Sequence, residues 1–147
     1  MRVLVQEAPF DLAEETARFA KGEGGSGAIV TFTGVVRDND AGTLSAMEIE
    51  HYPGMTEKAL REIAQQAVAR FDLQDALVIH RHGRLVPGEQ IMMVATAARH
   101  RRSAFEAAEF LMDYLKSRAP FWKREITAEG EAWVAAKDED EAALSRW

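Results

Sequence analysis

Two lysines, Lys116 and Lys123, are the residues of this chain whose surroundings best suit chemistry. The first falls near the end of a predicted helix, and the second follows the aromatic residues 121–122. A lysine close to other cations and to apolar rings can have a lowered pKa, and it can then act as a base or a nucleophile. A lysine that stays charged can instead orient an anion. Lys116 also fits a simpler role, as a helix-terminal cation that complements the helix dipole and pairs with Asp113.

A basic cluster, Arg-His-Arg-Arg at positions 99–102, precedes the same helix. The junction between a strand and a helix offers free backbone N–H groups and the positive end of the helix dipole, both of which favour anions. Arginine adds bidentate recognition of phosphate or carboxylate. An ordinary solvated basic turn is the alternative interpretation. Because the formal net charge of the whole chain is −6, this local positive charge favours a single anionic ligand over a general polyanion-binding surface.

Weaker candidates lie elsewhere in the chain. Arg37 stands at the end of a predicted strand, where it could clamp a substrate or be an ordinary exposed arginine. The segment Phe-Trp-Lys at 121–123 places bulky aromatics beside a cation and suits stacking on a planar ring. His80 and His82 share one strand face, but without cysteine or an obvious carboxylate partner they predict no metal site.

Composition places the chain among ordinary globular proteins. With 147 residues, 47% of them hydrophobic and 29% charged, we expect one domain over residues 1–147 that buries a real core. No apolar run approaches the roughly 20 residues needed to span a bilayer, and the N-terminus does not resemble a secretory signal. A cytoplasmic location is therefore expected. The absence of cysteine excludes disulfides, thiol nucleophiles, thiolate metal sites and a persulfide carried on this chain.

Hydrophobic periodicity predicts the elements that position these residues. Alternation predicts strands at 1–6, 28–36, 44–51, 76–81, 91–97 and 131–136, and an extended segment at 121–127. Helical spacing predicts helices at 12–21, 55–71 and 103–118. The strands at 28–36 and 44–51 are predicted to form a hairpin. The pattern indicates an α+β fold with mostly hairpin connections, and neither a Rossmann nor a P-loop motif is present.

The best-marked helix is the third. Ser103 and Glu106 have the spacing of a capping box, and Phe105 is predicted to lie on the buried face. The acidic run at 138–141 is interpreted as a solvated tail.

Four segments resemble one known family, the large (catalytic) subunit of molybdopterin synthase: GAIVTFTGVVRDND, IEHYPGMTEKAL, HRHGRLVPGEQ and HRRSAFEAAEFLMDYLKSRAPFWKRE. The resemblance implies an α/β-hammerhead-type α+β domain with an antiparallel sheet and about three helices, which forms a homodimer. It also implies a small ubiquitin-like sulfur-carrier subunit that docks on each end to give a heterotetramer. The thiocarboxylated Gly-Gly C-terminus of that subunit would deliver sulfur to cyclic pyranopterin monophosphate and so form the dithiolene of molybdopterin. We expect no cofactor, nucleic acid or membrane partner.

The resemblance assigns roles to six residues of this chain: catalytic Lys116 and Lys123, and substrate-binding Arg37, His100, Arg101 and Lys137. Lys116 would meet the thiocarboxylate, and Lys123 would act on the pterin side as a proton donor or acceptor. Lys137 stands where the family often has an arginine that reaches across the dimer. A lysine keeps the charge of an arginine but lacks its fork geometry.

Two other functions fit the same residues. One is a non-catalytic binding module for a phosphorylated planar ligand such as a nucleotide. The other is a single-stranded nucleic-acid binder that uses stacking aromatics and cations. The net charge of −6 disfavours the second, because binding to a phosphate backbone calls for broad positive surfaces.

Overall fold

Two four-stranded sheets and four α-helices form the fold in the computed structural model, which describes residues 1–22 and 24–147. The helices are α1 (Leu12–Arg18), α2 (Met55–Phe71), α3 (Arg101–Ser117) and α4 (Asp138–Ala143), with a 3₁₀ turn at Leu144–Arg146. The strands are β1 (Arg2–Gln6), β2 (Ala28–Val35), β3 (Ala46–His51), β4 (Leu73–Arg81), β5 (Gly83–Leu85), β6 (Gln90–Ala98), β7 (Phe121–Thr127) and β8 (Gly130–Trp133). The predicted α+β class is confirmed. Within the described residues, every helix is too short or too polar to cross a bilayer.

The first sheet has the strand order β1-β4-β6-β2. Only the β1–β4 pair is parallel, while β6 runs antiparallel to both β4 and β2. Strand β4 is buried on both faces: Ala76 and Val78 face the cluster that includes α2 and α3, whereas Leu77 and Ile79 pack with residues around α1. This two-sided burial explains the continuous apolar run of residues 76–79 within β4.

The second sheet has the order β5-β3-β7-β8, and all its pairs are antiparallel. The predicted hairpin between 28–36 and 44–51 is therefore wrong, because β2 belongs to the first sheet and β3 to the second. The connecting loop is folded on itself. The Asp38 carboxylate accepts the N–H groups of Asn39 and Leu44, and the Asn39 side chain accepts the N–H of Thr43. The loop thus redirects the chain from one sheet to the other.

Helix α3 begins earlier than predicted. It starts at Arg101, with His100 extended at φ −128° and ψ 147°, so Ser103 lies inside the first turn. The capping box is therefore wrong, and Glu106 instead accepts a hydrogen bond from Arg102 at 2.8 Å. Phe105 is also not buried: it is 60% exposed, while Ala104 is fully buried. The small side chain of Ala104 permits close packing of α3 at this position.

The acidic run at 138–141, predicted to be a solvated tail, forms helix α4 instead. Its acidic first turn complements the helix dipole, and Glu141 pairs with Arg118 of the α3 C-cap at 2.8 Å. The chain end then returns to α3, where Asp113 accepts hydrogen bonds from Arg146 at 2.5 Å and from the Trp147 indole at 2.7 Å. Helix α1 ends at Arg18, three residues before the predicted end. The C-terminal residues are thus fixed against α3.

Candidate active site

Lys123 occupies the middle of β7, opposite Ile49 of β3, and its side chain is partly buried. Burial of the amine lowers the pKa of Lys123 to about 8, and the nearby positive charges of Lys116 and Lys137 act in the same direction. Asp140 opposes this change, since its negative charge favours the ammonium form and raises the pKa. Lys123 can therefore gain and lose a proton near neutral pH.

Three separate elements bring these lysines together. Lys116 is exposed on the last turn of α3, and Lys137 immediately precedes α4. The backbone N–H of Val134 donates to the carbonyl oxygen of Lys123 at 2.8 Å, which holds the segment before Lys137 alongside β7. Because both lysines influence the pKa of Lys123 within one chain, Lys137 belongs to the same cluster as the predicted catalytic pair.

Arg37 lies at the same end of the fold as Lys116. Strand β2 is antiparallel to β6, and α3 returns antiparallel to β6, so β2 and α3 run in the same direction. Arg37 follows the end of β2 and is exposed, as is Lys116 near the end of α3. The arginine is anchored through its neighbour Val36, whose N–H donates to the carbonyl oxygen of Glu89 at 2.8 Å.

His100 and Arg101 lie at the opposite end. Both are exposed at the start of α3, while Lys116 lies fifteen residues beyond Arg101. With a rise of 1.5 Å per residue, this corresponds to about 22 Å along the helix axis. Within a single chain, the predicted anion-binding residues of α3 are therefore separated from the lysine cluster.

His80 was missed as a site residue by sequence reasoning, which considered it only as a metal ligand. It is 5% exposed on β4, and its ring stacks on Phe121 of β7 with the centroids 3.8 Å apart. The pKa of His80 is lowered to about 3, mainly by burial and also by the charges of Lys123, Lys116 and His82, although a hydrogen bond to Arg81 opposes them. The apolar run of residues 76–79 just before His80 was the available signal, since a polar side chain that continues such a buried run must find its partners inside the protein.

The aromatic residues near Lys123 have different partners from those the sequence suggested. The Phe121 ring is covered by His80. Trp122 points to the other face of β7, since side chains alternate along a strand, and its ring lies 6.4 Å from that of Tyr52. The rings of His82 and His51 are tilted against each other, with their centroids 4.1 Å apart. No group of three His, Asp or Glu residues in the described part of the chain is arranged to hold a metal ion.

An apolar surface is formed by β2 and the outer side of α3. Strand β2 is the terminal strand of the first sheet as described, and large side chains project from it: Ile29 is 51% exposed, Phe32 41% and Val35 53%. Phe105 of α3 is also exposed, and together with Phe32 it lines a groove of about 390 Å³ between the two elements. Exposed large apolar side chains on a terminal strand are typical of an interaction face.

The chain is similar to one family of known proteins over nearly its whole length. The family model described as MoaE protein matches residues 5–118. A molybdopterin synthase catalytic subunit from Cereibacter sphaeroides is 69% identical over 147 residues, which is 100% of both chains.

Solved structures agree with this similarity. A molybdopterin biosynthesis MoaE protein from Burkholderia ambifaria superposes with a TM-score of 0.85 at 51% identity, covering 99% of this chain and 97% of that one. A molybdopterin synthase from Staphylococcus aureus superposes with a TM-score of 0.81 at 29% identity, covering 89% of this chain and 95% of that one. The arrangement of the two sheets and their helices is therefore shared with these structures.

Proposed function

The chain belongs to the MoaE protein family, and we propose that it is the catalytic subunit of a molybdopterin synthase. Such an enzyme transfers sulfur from the thiocarboxylated C-terminus of a small carrier subunit to cyclic pyranopterin monophosphate. Two transfers give the dithiolene of molybdopterin. The observation that supports the proposal for this chain is the partly buried Lys123, whose pKa is lowered by burial and by the charges of Lys116 and Lys137.

The sulfur must come from another molecule, because the chain contains no cysteine. A small ubiquitin-like subunit with a Gly-Gly C-terminus is the proposed donor. Its thiocarboxylate is an anion, and the exposed ammonium group of Lys116 at the end of α3 is accessible to it. In the transfer, a sulfur–carbon bond forms on the pterin as a carbon–oxygen bond at that carbon breaks and its oxygen leaves. The carbonyl carbon of the carrier loses its sulfur and takes an oxygen from water.

Lys123 is proposed to move a proton on the pterin side. A general acid or base works best when its pKa lies close to the operating pH, and the pKa of about 8 gives Lys123 a substantial population of both forms. Lys116 assists in two ways, since its charge attracts the thiocarboxylate and also favours the neutral form of Lys123. The two lysines would thus divide the tasks of binding the donor and transferring a proton.

The phosphate site requires a second copy of the chain. His100 and Arg101 lie about 22 Å from Lys116 along α3, too far to share a small ligand within one chain. We propose that two copies associate through β2 and Phe105, whose exposed apolar side chains fit an isologous interface. Strand β2 and helix α3 run in the same direction. A two-fold axis near the middle of β2 would therefore place the start of α3 of one copy beside the end of α3 of the other copy.

This arrangement completes two active sites in each dimer. Arg37 of one copy would bind the phosphate together with His100 and Arg101 of the other, beside the lysine cluster. Lys137 would contribute its charge from the same chain as Lys123, rather than across the dimer. One small subunit at each site then gives a heterotetramer.

We also propose that residues 1–147 form one domain that works in the cytoplasm. The largest hydrophobic cluster supports a single domain, because it includes Ile49 of the second sheet as well as Val78 and Val94 of the first.

Reconstitution with cyclic pyranopterin monophosphate and a thiocarboxylated small subunit tests the function. Dithiolene should form only when both are present, and Lys116→Ala should abolish it while the circular dichroism spectrum stays unchanged. Lys58→Ala provides a matched control, since Lys58 is an exposed lysine of α2. Binding of the pterin without any sulfur transfer would instead identify a non-catalytic binding module.

A further inference from the structure

His80 connects the two sheets near Lys123 of β7. It belongs to β4 of the first sheet, and the Phe121 ring on which it stacks belongs to β7 of the second. The two rings are nearly parallel, with an interplanar angle of 18°. Since Phe121 opens β7, this contact fixes where the strand begins relative to the first sheet.

The protonation state of His80 follows from its hydrogen bond. Its Nδ1 lies 2.7 Å from the carbonyl oxygen of Arg81. A carbonyl oxygen only accepts hydrogen bonds, so Nδ1 carries the proton and the neutral ring has its free lone pair on Nε2. Burial lowers the pKa of His80 to about 3, so the ring stays neutral at every pH at which the protein would work.

The stack lies directly beside Lys123. Residues two apart on a strand point to the same face, so the side chains of Phe121 and Lys123 are neighbours on the face that His80 covers. A neutral aromatic pair at this position excludes water from one side of the lysine amine without adding a further positive charge. Burial is also the main reason that Lys123 titrates below its ordinary range.

We propose that His80 is a positioning residue for Lys123: its stack on Phe121 sets the start of β7 and keeps one side of the lysine amine dry. The consequence for sulfur transfer rests on the proposed function of Lys123.

The groups whose charges shift the pKa values of His80 and Lys123 lie on α3, directly after β4 and around the start of α4. Lys116 of α3 acts on both His80 and Lys123, and His82 acts on His80 from the residue that follows β4. From the α4 side, Lys137 and Asp140 act on Lys123 with opposite signs. None of these groups is altered when the His80 ring is replaced, so a change in Lys123 would report the loss of the stack.

Three variants separate the roles of the ring. His80→Leu removes the stack, His80→Phe keeps a neutral ring that can stack, and His82→Leu controls for the loss of a neighbouring histidine.

Nuclear magnetic resonance titration of the lysine amines gives the pKa of Lys123 in the ligand-free protein. The pH dependence of kcat for sulfur transfer is measured in parallel with thiocarboxylated partner and cyclic pyranopterin monophosphate. If His80→Leu does not fold, Phe121→Leu removes the stack from the other ring.

The stack predicts that His80→Leu raises the pKa of Lys123 by about one unit, moves the kcat profile to higher pH and lowers kcat at pH 7 about tenfold. His80→Phe and His82→Leu should retain both values of the unaltered protein. An unchanged Lys123 pKa in His80→Leu, or an equal rise in His80→Phe, would overturn the inference. Failure of the unaltered protein to transfer sulfur would instead refute the proposed function, and the titration would still decide the role of His80.

Discussion

The buried, neutral His80 makes the folding stability of this protein depend on pH. In the folded chain burial lowers the pKa of His80 to about 3, whereas its ordinary value is 6.5. At acid pH the unfolded state therefore binds more protons than the folded state. The stabilisation due to neutral His80 is fully present above pH 6.5 and is lost as the pH falls from 6.5 towards 3.

The size of this effect follows from the two pKa values. A pH of about 4.5 is roughly two units below the pKa of the histidine in the unfolded chain, whereas His80 in the folded chain is still neutral at that pH. Each pKa unit corresponds to about 1.4 kcal/mol. Protonation of His80 in the unfolded chain should therefore lower the free energy of unfolding by about 3 kcal/mol relative to neutral pH. His80→Phe keeps the stacked ring and removes the titration.

Urea unfolding, followed by circular dichroism at pH 7 and pH 4.5, measures this loss in both proteins at one protein concentration. Other titrating groups, such as His82 and Glu89, contribute in the same way to both proteins and cancel in the comparison. The loss on acidification should be about 3 kcal/mol smaller in His80→Phe. If the two proteins lose the same free energy to within about 1 kcal/mol, His80 is not a buried neutral group.

Three further predictions concern the C-terminal residues, the proposed dimer interface and the lysine pair. Trp147→Ala removes edge-on contacts to two aromatic rings and a hydrogen bond, and should lower the free energy of unfolding by about 3 kcal/mol in urea titrations; a cost no larger than that of exposed Trp133→Ala would contradict the anchoring role. Phe32→Asp should convert the dimer to a monomer in light scattering, and an intact dimer would exclude β2 from the interface. Lys116→Gln should raise the pKa of Lys123 in amine titrations, because a neighbouring positive charge is lost; an unchanged value would show that the two lysines are not coupled.

Local patterns in the sequence predicted those features that depend on neighbouring residues. Helix α2 has the predicted bounds because its apolar stripe, which includes Leu60, Ala64 and Ala67, is continuous and all three residues are buried. The positive charge near the end of α3 similarly identified Lys116 and Lys123 as candidates. The family resemblance is confirmed by the matches over the whole chain.

Features set by contacts between distant residues could not be predicted in this way. The alternating patterns of β2 and β3 identify strands but do not specify their partners, and both pair with strands much later in the chain. The beginning of α3 depends on packing against β6, where the Thr96 hydroxyl donates to the carbonyl oxygen of Ala104 at 2.7 Å. The stack of His80 on Phe121 joins residues from two sheets. Each of these contacts requires the tertiary fold.

In the proposed dimer, each active site combines the lysine cluster of one copy with His100 and Arg101 of another. Mixed dimers of two inactive variants, Lys116→Ala and Arg101→Ala, test it most directly by their yield of dithiolene. If the site is shared, a mixed dimer contains one site with both changes and one unaltered site. Random association should then restore roughly a quarter of the unaltered activity. If each site belongs to one chain, every site carries a change, and the mixture would stay inactive.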